Sequence, residues 1–415
     1  MREMKDSGIS WVGEIPKEWS VNRAKYCFVN TKEIAGCMSD RYERLALTMN
    51  GVIKRSKDDS NGLQPEKFET YQILRPDELV FKLIDLQNVS TSRVGLSPYL
   101  GLVSPAYIIL KSNKRVLPAF AEKYFLMLWK NQIFNALGDA GVRSNLNSKD
   151  LLELSIPFPT FDEQQQIADF LDRECGKIDG LKADIQAQID TLEQYKRSVI
   201  TEAVTHGLNP SAPMKDSGIP WVGKTPEYWK VGRIGGLYEL RNQKVSDKDF
   251  MPLSVTMKGI LPQLETAAKT NDGDNRKLVR VGDFAINSRS DRRGSCGISD
   301  YDGSVSLINT ILKPRNRMNA KYYNWLFHTP MFADEFYKWG HGIVDDLWTT
   351  NWSEMKRISI PLPPLDEQQE IADYLDNKCA EIEQIIADKK SQIETLDGYK
   401  KSLIYEYVTG KKEVV

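Results

Sequence analysis

Apolar positions recur at intervals of three and four through residues 162–205 and again through 366–409, the pattern of a helix that buries one stripe. The stripe reads Ile178, Leu181, Ile185, Leu192, Tyr195 and Val199 in the first stretch, and Ile382, Ile385, Leu396, Tyr399 and Leu403 in the second. Gln188 and Gln392 interrupt it at equivalent points, with Ile189 and Ile393 beside them. A proline-rich lead precedes each helix, at 156–159 and 360–364. Asp162 and Asp366 then fall at the N-cap, and Gln165 and Gln369 stand three residues on, where a capping-box partner belongs. At 1.5 Å per residue such a helix runs about 66 Å, too far for one small domain to cover, so the two are expected to pack on each other. Gly176 and Gly180 weaken the first helix by about 1 kcal/mol each and allow a kink there.

The helices belong to a larger repeat. Residues 4–21 (MKDSGISWVGEIPKEWSV) and 214–231 (MKDSGIPWVGKTPEYWKV) agree at 12 of 18 positions, and residues 162–205 and 366–409 at 24 of 44. The chain is therefore two copies of one unit: a Trp-rich opener, a divergent segment and a long helix. Trp11, Trp19, Trp221 and Trp229 are expected to anchor each opener to its domain or to the helices. In the divergent segments, strand-like runs at Glu78–Phe81, Ala106–Leu110 and Ser306–Leu312 alternate with turn-rich stretches, and helical runs follow at Ala119–Leu137 and Ala320–Trp339. Faint correspondence persists between Arg75–Lys82 and Arg280–Asn287, and between Gly101–Ser104 and Gly303–Ser306. The expected fold class is α+β, with two mixed α/β globular domains and a pair of long helices. The expected parts are an opener at 1–21, a first domain at 22–155, a central helix at 156–207, a linker with the second opener at 208–231, a second domain at 232–359 and a C-terminal helix at 360–415.

Charge sharpens this division. The whole chain carries −1 with a pI of about 6.4, which argues against a protein that coats nucleic acid. By segment, residues 22–155 carry +5 and 232–359 carry +4, whereas 162–205 carry −5 and 366–409 carry −6. A phosphate backbone would attract the globular parts and repel the helices. Five cysteines, none in a C-x-x-C pair, argue against a disulfide framework or a zinc knuckle, and Cys175 and Cys379 read as small core residues on the helix stripe. No run of about 18 apolar residues and no signal-like start occur, so a cytoplasmic protein without membrane contact is expected.

Catalytic signatures are few in the sequence. Gly218–Thr225 matches a phosphate-loop spacing, but Pro213 precedes it and Pro226 follows, where a strand and a helix are required. The three histidines, His206, His328 and His341, have no zinc-type partner or nucleophile motif. Donor-rich loops stand out instead. Asn287, Arg289, Ser290, Asp291, Arg292 and Arg293 follow a strand, and these residue types can reach base edges: Arg to guanine, Asn to adenine, Asp to cytosine. The aligned stretch of the first copy offers Lys82, Gln87, Asn88 and Arg93, and two further loops offer Lys54, Arg55 and Lys57, and Arg143 with Asn145. Taken together these loops favour DNA; a coiled-coil adaptor whose globular domains bind protein is the alternative.

The motif Met-Lys-Asp-Ser-Gly-Ile-x-Trp-Val-Gly-x-x-Pro-x-x-Trp at 4–19 and 214–229, with Ile-Pro-x-Pro-x-x-Asp-Glu-Gln-Gln-x-Ile-Ala-Asp at 156–169 and 360–373, resembles the specificity (S) subunit of Type I restriction-modification enzymes over the full length. The resemblance implies two target recognition domains, each reading one half of a split sequence in double-stranded DNA. It implies that the helices form an antiparallel spacer with pseudo-two-fold symmetry on which two methyltransferase (M) subunits dock, and that motor and nuclease (R) subunits complete the complex. It implies no catalytic residue and no metal or cofactor in this chain, with S-adenosylmethionine and ATP/Mg held by the partner subunits.

Overall fold

The computed structural model describes residues 2–59, 67–86, 91–138, 145–263, 273–289, 293–315, 318–342 and 348–414. The chain divides into two compact units, one of residues 1–185 with 390–415 and one of residues 186–389.

In the first unit the globular domain is built from two four-stranded sheets. One runs in the order Phe28–Thr31, Ile108–Ser112, Glu78–Phe81, Val94–Leu96, antiparallel throughout. The other runs Gly51–Arg55, Arg44–Thr48, Gly101–Val103, Gln72–Leu74. Alternating side chains send Leu45, Leu47, Val52, Leu74, Val80, Val103 and Ile109 into the core they share. The opposite face of the first sheet receives the helix Pro118–Lys130, where Phe81 and Phe125 meet edge to face with centroids 5.0 Å apart.

The second unit repeats this plan. Its strands Tyr238–Leu240, Asn309–Pro314, Phe284–Asn287 and Cys296–Ile298 form the helix-covered sheet, and Leu253, Val255, Ile260, Val279, Ala285, Val305 and Ile311 form the inner core. The faint correspondences seen in the sequence are structural. Arg75 N–H donates to Glu78 Oε2 at 2.9 Å and Arg280 N–H to Asp283 Oδ2 at 2.9 Å, so the same turn launches the same strand in both units. The helical runs are shorter than the periodicity predicts. Gln132 takes φ +61° and divides Pro118–Lys130 from Ile133–Leu137; Pro330, lacking an N–H, starts a new helix capped by Thr329.

Each opener is a small hairpin, Met4–Asp6 with Glu14–Pro16 and Met214–Ile219 with Gly223–Pro226, so Gly218–Thr225 lies in a strand–turn–strand and forms no phosphate cradle. The following strands, Ser20–Arg23 and Lys230–Arg233, pair with the proline-rich leads Ser155–Phe158 and Ser359–Leu362. All four tryptophans anchor through their indole N–H: Trp19 to Glu163, Trp229 to Glu367, Trp11 to the Tyr124 hydroxyl and Trp221 to the Ser359 carbonyl.

The long helices span Phe161–His206 and Leu365–Val408, the first without interruption at Gly176 or Gly180. They begin two residues earlier than an N-cap at Asp162 or Asp366 would give. Asp162 and Asp366 sit within the first turn, and Gln165 and Gln369 donate to Asp169 and Asp373 four residues on instead of closing a capping box. The neighbouring Gln164 and Gln368 are buried. Gln164 Oε1 accepts from Leu117 N–H at 2.8 Å while its amide donates to Pro159 O; Gln368 does the same with Asn319 N–H at 2.9 Å and Pro363 O. Each pair ties a long helix to the N-terminus of a domain helix.

The buried seam corrects the expected stripe. It advances in steps of four and three through Leu171, Cys175, Ile178, Lys182, Ile185, Ile189, Leu192, Lys196, Val199 and Ala203, and through Leu375, Cys379, Ile382, Ile386, Lys389, Ile393, Leu396, Lys400 and Leu403. Leu181, Tyr195, Ile385 and Tyr399, assigned to the stripe from sequence, are 44–57% exposed, and Gln188 and Gln392 lie outside it. The reason is chemical. Lysine stems fill seam positions while their ammonium groups reach across to the facing helix, Lys182, Lys196 and Lys400 to carboxylates and Lys389 to the Gln188 amide oxygen, so hydrophobicity alone misplaces the face. In the first unit Lys182 pairs with Asp397 at 2.5 Å and Lys400 with Asp179 at 2.6 Å; in the second Lys196 pairs with Glu383. Within each unit these contacts run antiparallel, and Lys400–Asp179 and Lys196–Glu383 are the same pair seen once in each repeat.

Candidate nucleic-acid interface

In the first unit the predicted loop residues fall into two groups. Lys82, Arg93 and Asn145 gather at the end of strand Glu78–Phe81. Asn145 Oδ1 accepts from Asp85 N–H at 3.1 Å, Leu146 N–H donates to Leu83 O, and the Arg93 guanidinium donates to Asp85 O at 2.5 Å. Asp85 itself takes φ +52°, a conformation these contacts hold in place. Arg93 is fully buried, so its assignment as a DNA contact is corrected: it shapes the loop from beneath. Lys82 is half-buried, and burial followed by the neighbouring Arg93 charge pulls its pKa below the usual lysine value.

The second group, Lys54, Arg55 and Lys57, lines a shallow cleft of about 430 Å³ with residues 40–44. All three have partners: Lys54 meets Glu43 at 2.6 Å, Arg55 meets Asp59 at 2.7 Å, and Lys57 donates to Ser39 O at 2.8 Å with Asp40 at 3.8 Å. Lys54 also lies over the Tyr99 ring and is half exposed. The Lys54–Glu43 pair is exposed and therefore weak, whereas Arg55 and Asp59 are half-buried.

In the second unit Asn287 and Ser288 are buried, which again corrects the expectation for Asn287. Its Oδ1 accepts from Arg289 N–H at 3.0 Å, and its own N–H donates to Ser295 O; Ser288 shares a hydrogen bond with Thr310. These residues clamp the two ends of the loop and leave Arg289 and Arg293 exposed beside it. Arg293 stacks 3.8 Å from the Tyr337 ring centre and pairs with Asp334 at 3.1 Å, so its guanidinium is oriented in advance. Gln87, Asn88, Arg143, Ser290, Asp291 and Arg292 lie outside the described residues.

The two loops occupy one topological place. Each leaves the third strand of the four-stranded, helix-covered sheet and returns as the antiparallel edge strand beside it, Val94–Leu96 or Cys296–Ile298. Their side chains differ while the scaffold beneath is the same. Sequence reasoning found the loops and missed Gln164 and Gln368, although the Asp-Glu-Gln-Gln motif that carries them is duplicated; it gives no sign of which glutamine turns inward. Among the described residues no group of three or more His, Cys, Asp or Glu is placed to hold a metal ion, and no helix is long and apolar enough to cross a membrane.

The fold and its loops define a class of α+β proteins built from two repeated domains, each raising a loop from the same strand of a common scaffold. The model of the Type I restriction modification DNA specificity domain matches residues 84–191 and 226–395, about two thirds of the chain, and the chain belongs to that family. It is 23% identical to a putative type I restriction enzyme MjaX specificity subunit of Methanocaldococcus jannaschii, over 97% of this chain and 96% of that protein. The MjaVIII specificity subunit of the same organism is 22% identical over 76% of this chain and 75% of its own length. In fold the chain is similar to one from a structure of type I R-M system assembly and conformational transition, with a TM-score of 0.69 at 13% identity, covering 96% of this chain and 99% of that one. Recognition of a DNA target within a Type I restriction-modification system is thus the coarse function of this chain.

Proposed function

We propose that this chain is the non-catalytic reader of a bipartite DNA target, with the domain at 22–155 reading one half-site and the domain at 232–359 the other. The observation that carries this is the pair of topologically equivalent loops with different side chains: a shared scaffold positions, and divergent loops specify. Net charges of +5 and +4 on the two domains supply the attraction to phosphate, and the acidic helices keep duplex contacts away from the spacer. Two M subunits dock on the helices. The exposed, repeat-equivalent pairs Leu181 with Ile385 and Tyr195 with Tyr399 give them an apolar foothold outside the seam. S-adenosylmethionine and ATP/Mg belong to the M and R subunits, and the adenine leaves the stack in the M subunit.

Mapping methylated adenines in DNA exposed to the assembled complex tests the reading. It expects two short specific blocks separated by an unspecified gap. Arg289→Ala with Arg293→Ala should relax the half-site read by the second domain, at about 1–3 kcal/mol per lost base contact, and leave the other block intact. A continuous target, or relaxation of both halves together, would refute it.

A further inference from the structure

The two domains share one exposed feature that neither the scaffold nor the loops explain. The hairpin of Arg44–Thr48 and Gly51–Arg55 turns through Met49 and Asn50, and that of Leu253–Thr256 and Gly259–Pro262 turns through Met257 and Lys258. The turns are built alike. Thr48 Oγ1 donates to Gly51 O at 3.0 Å and accepts from Asn50 N–H; Thr256 Oγ1 donates to Gly259 O at 2.9 Å and accepts from Lys258 N–H. Gly51 and Gly259 take φ of +86° and +103°, which favours glycine at both turns.

The turn places apolar side chains in water. Met49 is 52% and Met257 71% exposed, and one further exposed aliphatic follows on each returning strand, Ile53 and Leu261, both at 41%. The inward residues of the same hairpins, Leu45, Leu47 and Val52 or Leu253, Val255 and Ile260, are all buried, so the exposed pair is not needed to seat the hairpin. This apolar pair is retained in segments that have otherwise diverged.

Each hairpin packs across the strand on which the candidate reading loop returns, Val94–Leu96 or Cys296–Ile298, at a glycine whose missing side chain makes room. A Cβ on Gly95 would stand 2.7 Å from Leu47 Cδ1, and one on Gly297 would stand 2.8 Å from the Cα of Gly259 in the turn itself. Gly95 is two residues from Arg93, and Gly297 four from Arg293. A lysine stands on each hairpin: Lys54, half exposed and paired with Glu43, on the first, and Lys258, exposed beside Met257, in the second.

We propose that these hairpins are apolar DNA probes, in which Met49 and Met257 pack into a groove beside the loop that reads bases, giving both half-sites the same sequence-independent contact. The inference rests on the DNA-reading function proposed above. A feature held in common by two domains with different targets cannot encode either target, and an apolar tip with a solvent-reaching lysine beside it suits a phosphate-lined groove, whose bases the tip meets while the ammonium meets the backbone. An unbranched, flexible thioether suits the role, since it adapts to whichever base steps lie beneath it.

The test measures affinity of the complete complex for a target duplex and for a scrambled duplex of equal length, across a salt series. Met257→Ser should weaken both duplexes by the same factor, about tenfold as expected for exposing one buried apolar side chain, with the slope of log K against log salt unchanged. Met49→Ser should behave alike, the double variant should multiply the losses, and Met257→Leu should retain most affinity. Loss confined to the target duplex, no loss at all, or loss of M-subunit assembly with normal affinity in the assembled fraction would overturn the inference. Failure of the unaltered complex to discriminate any duplex would instead remove the reading on which it rests.

Discussion

Replacing Gln164 by leucine isolates the joint between a long helix and its recognition domain. Gln164 is almost fully buried and serves two backbone groups: the Leu117 N–H at 2.8 Å, just ahead of helix Pro118–Lys130, and the Pro159 carbonyl at 3.0 Å. Leucine fills a similar volume but satisfies neither. A buried polar group left without its partner costs about 1–3 kcal/mol, and the Leu117 end is partly open to water, so about 2–4 kcal/mol should be lost in all. For a unit of roughly 200 residues that is a fall in Tm of about 4–16 °C in the transition of the first unit. Gln368→Leu should do the same to the second unit alone, through Asn319 N–H and Pro363 O. Calorimetry of the full chain, with amide exchange assigning each transition, measures this. A loss below about 0.5 kcal/mol in either variant, the usual scatter of substitutions that break nothing, would show that the glutamine does not hold the joint.

Three further outcomes are expected. Leu181→Asp with Tyr399→Asp alters only exposed positions of the first unit, so the chain should melt as before yet lose an M subunit by size-exclusion chromatography; retained assembly would discard the proposed foothold. A thiol reagent at neutral pH should label one cysteine of the native chain, Cys37, and five in denaturant, because Cys27, Cys175, Cys296 and Cys379 are buried and burial pushes their thiols up; a second rapid label would contradict this. Glu33, bonded to Arg75, and Glu153, bonded to Lys25 and Arg23, have pKa values lowered by those partners. Their contribution to folding is therefore present above the ordinary glutamate value of about 4.3 and disappears as pH falls through the lowered ones. Carboxyl NMR midpoints at or above the free value would refute the pairing.

Periodicity and repetition by themselves determined the larger plan: two copies, two long helices, strands at Glu78–Phe81 and 284–286, and loops worth inspecting after them. These are local facts, since a step of three or four or an alternation of two is written in neighbouring residues. The tertiary structure decided which face of a helix is inside. Leu181 and Tyr195 are more hydrophobic than Lys182 and Lys196, yet the lysines occupy the seam because acidic partners wait across it. It also decided which loop residues are free to meet DNA. Asn287 and Arg93 have the chemistry of base readers, but both are drawn inward to hold their loops, by Arg289 N–H and by the Asp85 carbonyl. Composition cannot separate a reader from a clamp, because both need the same donors and acceptors, and only the position of the partner tells them apart.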